Sequence, residues 1–529
     1  MLRGTQIING VEYVFETKAK WNPDKKYGTH SRRYIGKMVD GVFVPNKRYE
    51  LEEELKEAKK PGHVPVTISE RLFCGATMLL DSIGEKLGIR EDLEKCFPQD
   101  YKKILSLAYF LLLEDHSPLS RFPRWAMLHR HPYGKIISSP RSSELFAALD
   151  EDSQQRFFRL QMQRRMEHEY LAYDITSISS YSELIRFVKY GKNKEHDALP
   201  QINLALLYGE SSRLPMYYHS LPGNISDVTT VKRLIDELSY LSIEKVKLIL
   251  DRGFYSEENV NGLLSHHYKF LISVKTSLRL VQTMLDEVRE SLPTRQHYNS
   301  NFRLYCTSRT IAWPYEEYKP RLGAVESGTR RMYLHLYYDD ERAMEERAAF
   351  NILLDSLEAE LKEGIRNPEH ETLYQKYYEV TQTPVRGVTL NPKQEAIDKV
   401  ERNYGYFALL SNESKDPLEA LTIYRTKDLV EKAIGNLKER LSARREGVSS
   451  ESHLSGKFFV QFIALMYLSY IDKVMNDQDL YKSYTLTQLL DELDVIECYS
   501  YPGHTQKIGE MTKKQKELYE AFGDRKSVV

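Results

Sequence analysis

Apolar positions alternate with a two-residue period at both ends of the first half of the chain, and recur at helical spacing between and beyond. In residues 1–60 the alternation predicts a β-rich arm. Stretches 34–39 and 42–44 flank Asp40-Gly41, the pattern of a tight hairpin. Residues 67–150 then read as helical, with apolar spacing of three and four in SERLFCGATMLLDSIGEKLG and QDYKKILSLAYFLLLEDH. Pro118, Pro123, Pro132 and Pro140 break up the stretch after these two helices. One more amphipathic helix is predicted over 143–168, carrying Arg156, Arg159, Arg164 and Arg165.

From residue 169 the pattern changes. LAYDITSI, QINLALLYG and RLPMYYHSL read as three strands, the last running into Pro222-Gly223-Asn224. A helix over VTTVKRLIDELSYL comes next, then the strand KVKLILD, a short helix near SEENVNGLL and the strand YKFLISV. Three strands on short turns, then helix, strand, helix, strand, predict an α/β core with a ribonuclease-H-like (retroviral-integrase-like) mixed sheet and flanking helices. Residues 276–401 interrupt it as an inserted α+β region. Within it FRLYCTSRTIAW and RMYLHLYY read as strands and DERAMEERAAFNILLDSLEAELKEG as a long helix. The chain returns to the core through YFALLS.

Composition narrows the class. With 41% hydrophobic and 29% charged residues, the chain is of ordinary globular type, and 529 residues allow roughly two to four domains. A net charge of −1 decides nothing by itself. Its distribution is more telling, because the first 48 residues hold ten Lys or Arg against four Asp or Glu, which suits an arm that contacts phosphate. Cys74, Cys96, Cys306 and Cys498 show no metal-type spacing, so reduced thiols in a cytoplasmic protein are expected. The most apolar stretch, 458–471, is short and interrupted, and predicts a buried helix and no membrane association.

The candidate chemistry is carried by acids. Asp251 ends the strand KVKLILD and precedes Arg252-Gly253-Phe254, so a carboxylate leaves a buried strand into a loop. Asp174 sits in the first core strand, and Glu431 in the helix YRTKDLVEKAIGNLK after the insertion. Three acids on these elements fit a two-metal phosphoryl-transfer site. There, one ion activates the attacking oxygen and another, about 4 Å away, stabilises the leaving one. Magnesium takes oxygen ligands, so carboxylates suffice. At about 100° per residue, Tyr424, Lys427, Glu431 and Lys438 share one narrow stripe, while Leu429, Ala433, Leu437 and Leu441 face the other way.

The spacing Tyr424-x2-Lys427-x3-Glu431-x6-Lys438 resembles, with one change, the Y-x2-R-x3-E-x6-K signature of a group of bacterial insertion-sequence transposases with an Asp-Asp-Glu triad. YDITS around Asp174, LPQ at 199–201, PGNISD at 222–227, DRGF at 251–254 and HLSGKFFVQFIALMYLSYID at 453–472 are similar to that group as well. The N-terminal YIGK and its hairpin look like the start of one branch. The resemblance covers roughly 170–275 and 402–472 and is looser elsewhere.

It implies metal ligation by Asp174, Asp251 and Glu431, with two Mg²⁺ ions for which Mn²⁺ can substitute. Tyr424, Lys427 and Lys438 would contact DNA phosphates, with Arg252 approaching DNA beside Asp251. The expected partners are double-stranded DNA, as terminal inverted repeats and target, and a second copy of the chain in a synaptic homodimer. The expected activity is strand cleavage and transfer. A nuclease without joining, or an inactive DNA-binding regulator, are the alternatives. Lys427 departs from the family's Arg, replacing a two-donor fork with a compact charge. The division expected is a basic β-rich arm (1–60), a helical DNA-binding region (61–168), the core (169–275 and 402–475), the insertion (276–401) and a helical tail (476–529). His266-His267 and Glu167-His168-Glu169 read as surface residues, Gly223-Asn224 as a turn, and Trp313 as core, or as a stacking platform for a flipped base.

Overall fold

The computed structural model describes residues 2–22, 27–39, 41–58, 70–165, 169–182, 184–191, 199–241, 243, 245–319, 324–383, 387–443, 445–448, 450–501 and 505–524. Asp40 of the hairpin turn, Lys25 and Lys26 of the basic arm, residues 61–69 of the helical region and Glu167-His168 lie outside them. The chain forms two compact units: Met1–Ser82 with Ser120–Ile137 and Gln478–Val529, and Ile83–Leu119 with Ser138–Asp477.

In the first unit, strands Leu2–Ile8, Val11–Asn22, Tyr27–Val39 and Val42–Pro45 form an antiparallel meander. Val39 pairs with Val42, and Gly41 takes the left-handed φ of 77° that the tight turn requires. Val14, Ile35 and Tyr49 make its small core with Met38 and Phe43. The tail, expected to be helical, also supplies a strand: Glu497–Ser500 pairs with Glu70–Phe73. Its helices Leu486–Asp494 and Lys513–Ala521 each start with a capping box, Thr485 with Gln488 and Thr512 with Gln515.

The second unit is built on a ten-stranded sheet. Its main strands are β1 (Leu171–Ser180), β2 (Gln201–Gly209), β3 (Pro215–Pro222), β4 (Lys247–Leu250), β5 (Lys269–Val274), β6 (Leu304–Lys319), β7 (Ala324–Tyr338) and β8 (Tyr406–Ser411). They lie in the order β6-β7-β8-β5-β4-β1-β2-β3. β1, β2 and β3 form an antiparallel meander, β4 runs parallel to β1 and β5 parallel to β4. The helix α1 (Asp227–Tyr240) makes the first crossover and α2 (Glu257–Ser265) the second. All of β2 and nearly all of β1 are buried, because helices cover both faces of the sheet.

The insertion does not leave the sheet. β8 pairs antiparallel with β5, and the hairpin β6–β7 joins onto β8, so the inserted strands extend the core sheet. The helix α3 (Asp340–Glu363) buries Phe350, Leu357 and Leu361 against Tyr374, Tyr377 and Ile397 in a separate small core. After β8 come α4 (Pro417–Arg425), α5 (Lys427–Glu439) and α6 (Glu451–Asp477).

The apolar stretch 458–471 lies within α6. This is the one helix among the described residues long and apolar enough to cross a membrane, and 89% of its most apolar window is buried inside the protein. It is anchored to the sheet by a buried ion pair: Lys457 Nζ lies 2.6 Å from Glu446 Oε2, and Glu446, on a two-residue strand beside β1, is fully buried. At Gly456 a methyl group would stand 2.1 Å from the Phe146 carbonyl, so only glycine admits the helix Ser139–Ala148 at that distance.

One helical expectation is corrected in detail. The helix predicted over 143–168 is two, Ser139–Ala148 and Glu151–Gln163, because the Asp150 carboxylate caps a new start by accepting from Ser153 N. Arg164 is held there by Asp92 at 2.6 Å. The predicted helix over QDYKKILSLAYFLLLEDH is present as Tyr101–Leu113, and it buries every residue from Ile104 to Leu112.

Candidate active site

Strand register brings the first two acids together. β1 and β4 run parallel with Tyr173 opposite Leu250, so the residues that follow, Asp174 on β1 and Asp251 just past the end of β4, lie side by side. Alternation along β1 sets the face. Tyr173 points to the α1 side, where it lines a small cavity with Leu207, Tyr217 and Glu237. Asp174 therefore points to the opposite face, where Leu204 and Leu206 of β2 meet Leu437 of α5 and Phe458 of α6. That is the face covered by the helix carrying Glu431.

The second acid is held tightly. Asp251 caps a short 3₁₀ turn, Arg252–Phe254, with its Oδ1 accepting from Arg252 N at 2.8 Å. The same oxygen accepts from the Tyr424 hydroxyl at 2.9 Å. Phe254 is buried, its ring tilted against Tyr173 at 5.1 Å, which anchors the turn beneath the carboxylate.

The third acid reaches this group through Lys427. The Lys427 ammonium lies 2.9 Å from Glu431 Oε1, one helical turn on, and 3.8 Å from Asp251 Oδ2. Burial pushes the Lys427 pKa down, but Glu431, Asp251 and Asp174 together raise it above the ordinary lysine value. Asp251 and Glu431 thus share one ammonium. Burial likewise pushes the Asp251 carboxyl up, and the Arg252 N–H, the Lys427 charge and the Tyr424 hydroxyl outweigh it, leaving Asp251 below its ordinary value. Burial first, and then Asp251, raise the Tyr424 hydroxyl far above the usual phenol, so it stays a donor.

The predicted single helix of Tyr424, Lys427, Glu431 and Lys438 is two helices meeting at Thr426. Thr426 keeps near-helical angles (φ −68°, ψ −12°), so the stripe survives the break. Tyr424 and Lys427 reach Asp251, and Glu431 joins them through Lys427. Lys438 is buried, with 7% exposure, whereas Arg252 is exposed beside Asp251.

The remaining candidates sort by burial and bonding. Trp313 is buried on β6 and donates Nε1–H to Asn261 Oδ1 at 2.9 Å, which makes it a packing residue between β6 and α2. His266 and His267 are exposed at the end of α2. Glu169, expected at the surface, is instead buried and accepts from Ser211 N and Ser212 N. Gly223 packs so closely that a methyl group would stand 2.0 Å from the Gln201 carbonyl. Among the described residues no three His, Cys, Asp or Glu side chains are gathered closely enough to hold an ion as they stand.

Sequence reasoning missed two groups. The Asp227 carboxylate, at the start of α1, approaches the DRGF turn, with Oδ2 3.5 Å from where a Gly253 methyl would be. On the other face of the sheet, His219 Nδ1 lies 3.1 Å from Glu237 Oε1, and Tyr217 donates to Glu237 Oε2 at 3.1 Å. The period-two pattern of β3 marks these positions as inward-facing; only the partner on α1 was invisible.

Residues 166–467 match the transposase DDE domain family, a span that contains Asp174, Asp251 and Glu431. No curated protein matches the sequence. Among solved structures, the chain is similar to one described as a cryo-EM structure of the piggyBac transposase synaptic complex with hairpin DNA. The identity is 12%, the match covers 74% of this chain and 70% of that one, and the TM-score is 0.37.

Proposed function

The chain belongs to the transposase DDE domain family, and from that premise we propose that it binds the terminal inverted repeats of an insertion sequence and cuts and joins DNA at them. The observation that carries this reading is that Asp251 and Glu431 share the Lys427 ammonium, with Asp174 beside Asp251 on the neighbouring strand and on the face covered by the Glu431 helix. The three acids come from β1, the end of β4 and α5. The meander β1–β3 followed by parallel β4 and β5 supports a ribonuclease-H-like core, with Asp174 inside the first strand, Asp251 just past the end of β4 and Glu431 on the helix that covers that face.

The donor set fits magnesium. Every candidate ligand is a carboxylate, and a cation already lies between two of them, so the site attracts positive charge. Asp174, Asp251 and Glu431 would hold the metal; when bound, it would activate the attacking oxygen and offset charge on the leaving one. Tyr424 and the Arg252 N–H fix Asp251 in one orientation, so little reorganisation is needed when substrate arrives. Arg252, exposed at the same turn, is placed to meet a DNA phosphate. The buried core behind Asp174 keeps bulk water from that side of the strand.

Pairing of two ends in a homodimer and action in the cytoplasm complete the proposal. The test is strand joining. A pre-cut DNA end from the repeats flanking the gene, incubated with Mg²⁺ and a supercoiled plasmid, should become covalently attached to the plasmid. Cleavage of uncut ends without any joined product would replace transposition with simple nuclease activity.

A further inference from the structure

Lys427 and Glu431 are spaced as an ordinary helical ion pair, but the surroundings of Lys427 are not those of a surface pair. Its side chain is 24% exposed, and it faces the Asp251 carboxylate from the end of β4 as well as Glu431 from its own helix. A compact ammonium on a flexible stem can occupy the space between carboxylates that a divalent ion would use. Two cations that close repel by more than the thermal energy even at surface-like dielectric. One of them must leave.

We propose that Lys427 is the resident counter-ion of this site and a positioning residue for metal entry. It holds Glu431 beside Asp251 before a divalent ion binds, and is expelled toward solvent, and so toward DNA phosphate, when one does. The inference rests on the proposed metal-binding role of the three acids and adds a competitor to it. It also gives the lysine a physical meaning at a position where the resembling group has arginine.

The test is Mn²⁺ binding to the full chain without DNA, read from loss of the free-ion paramagnetic resonance signal. Lys427→Gln removes the charge and keeps the length, and should bind Mn²⁺ roughly tenfold more tightly than the unaltered protein. Lys427→Arg keeps the charge and should not tighten binding, which separates charge from shape. Glu431→Gln should weaken binding. Equal or weaker binding by Lys427→Gln, with Glu431→Gln still weakened, would overturn the counter-ion role while leaving the metal site in place. No Mn²⁺ binding by the unaltered protein would remove the metal site and this inference with it.

Discussion

The Tyr424 hydroxyl donates to Asp251 Oδ1 at 2.9 Å, tying the helix before Glu431 to the end of the strand that carries the second acid. One hydrogen bond thus spans the insertion, joining residues 173 positions apart in the chain. Tyr424→Phe removes it and leaves the ring in place. The expected result is a loss of about 1 kcal/mol in stability and a rate loss of roughly tenfold to a hundredfold in strand cleavage, since a carboxylate free to turn is misplaced. Cleavage kinetics together with a melting curve check both. An unchanged rate would mean that Asp251 is not a working ligand.

The pair Lys457–Glu446 is expected to add to the anchoring of α6 beside the apolar side chains the helix buries. Lys457→Ala leaves the fully buried Glu446 carboxylate with only the Gln461 amide as side-chain partner among the described residues, which costs about 3 kcal/mol. The double variant Lys457→Met with Glu446→Gln should recover much of that loss. Urea unfolding read from a probe in the second unit measures it.

His219 and Glu237 give a pH signature with a worked sign. Burial pushes the Glu237 carboxyl up to about 7, so its contribution to stability is complete below its unfolded value and is lost as pH rises toward 7. Burial pushes the His219 imidazole down to about 4, so its contribution is present above the unfolded histidine value and is lost as pH falls toward 4. The two slopes oppose each other over about pH 4.5–6.5. Glu237→Gln therefore unmasks the histidine, and the urea midpoint should rise with pH between about 4 and 6.5. A midpoint flat across that range in the variant would contradict the assignment.

Lys427→Arg restores the residue of the resembling signature. It should leave cleavage unchanged or raise it, because a guanidinium can still meet phosphate and does so with two donors. A severe loss in a cleavage assay would show that the lysine's smaller head is required between Glu431 and Asp251.

Much of the core was legible in the sequence because the period changes cleanly at residue 169. LAYDITSI, QINLALLYG, KVKLILD and YKFLISV all fall on strands, with Asp174 and Asp251 where those strands place them. The helical stripe was also readable, since Thr426 breaks the helix without turning it. What the pattern could not show is tertiary. Lys438 shares the stripe but is buried by neighbours that a single helix does not reveal. The hairpin β6–β7 reads as strands, yet its continuation of the core sheet depends on β8 pairing with both β5 and β7. The pairing of Glu446 with Lys457 is likewise a matter of tertiary packing.

The most direct measurement compares the unaltered protein with Asp174→Asn, Asp251→Asn and Glu431→Gln on labelled DNA from the repeats flanking the gene, in Mg²⁺. Binding and strand cleavage are measured in the same samples. The account predicts cleavage at the repeat boundary by the unaltered protein alone, with binding nearly equal in all four. Cleavage retained by any one of the three variants would contradict the shared role assigned to Asp174, Asp251 and Glu431.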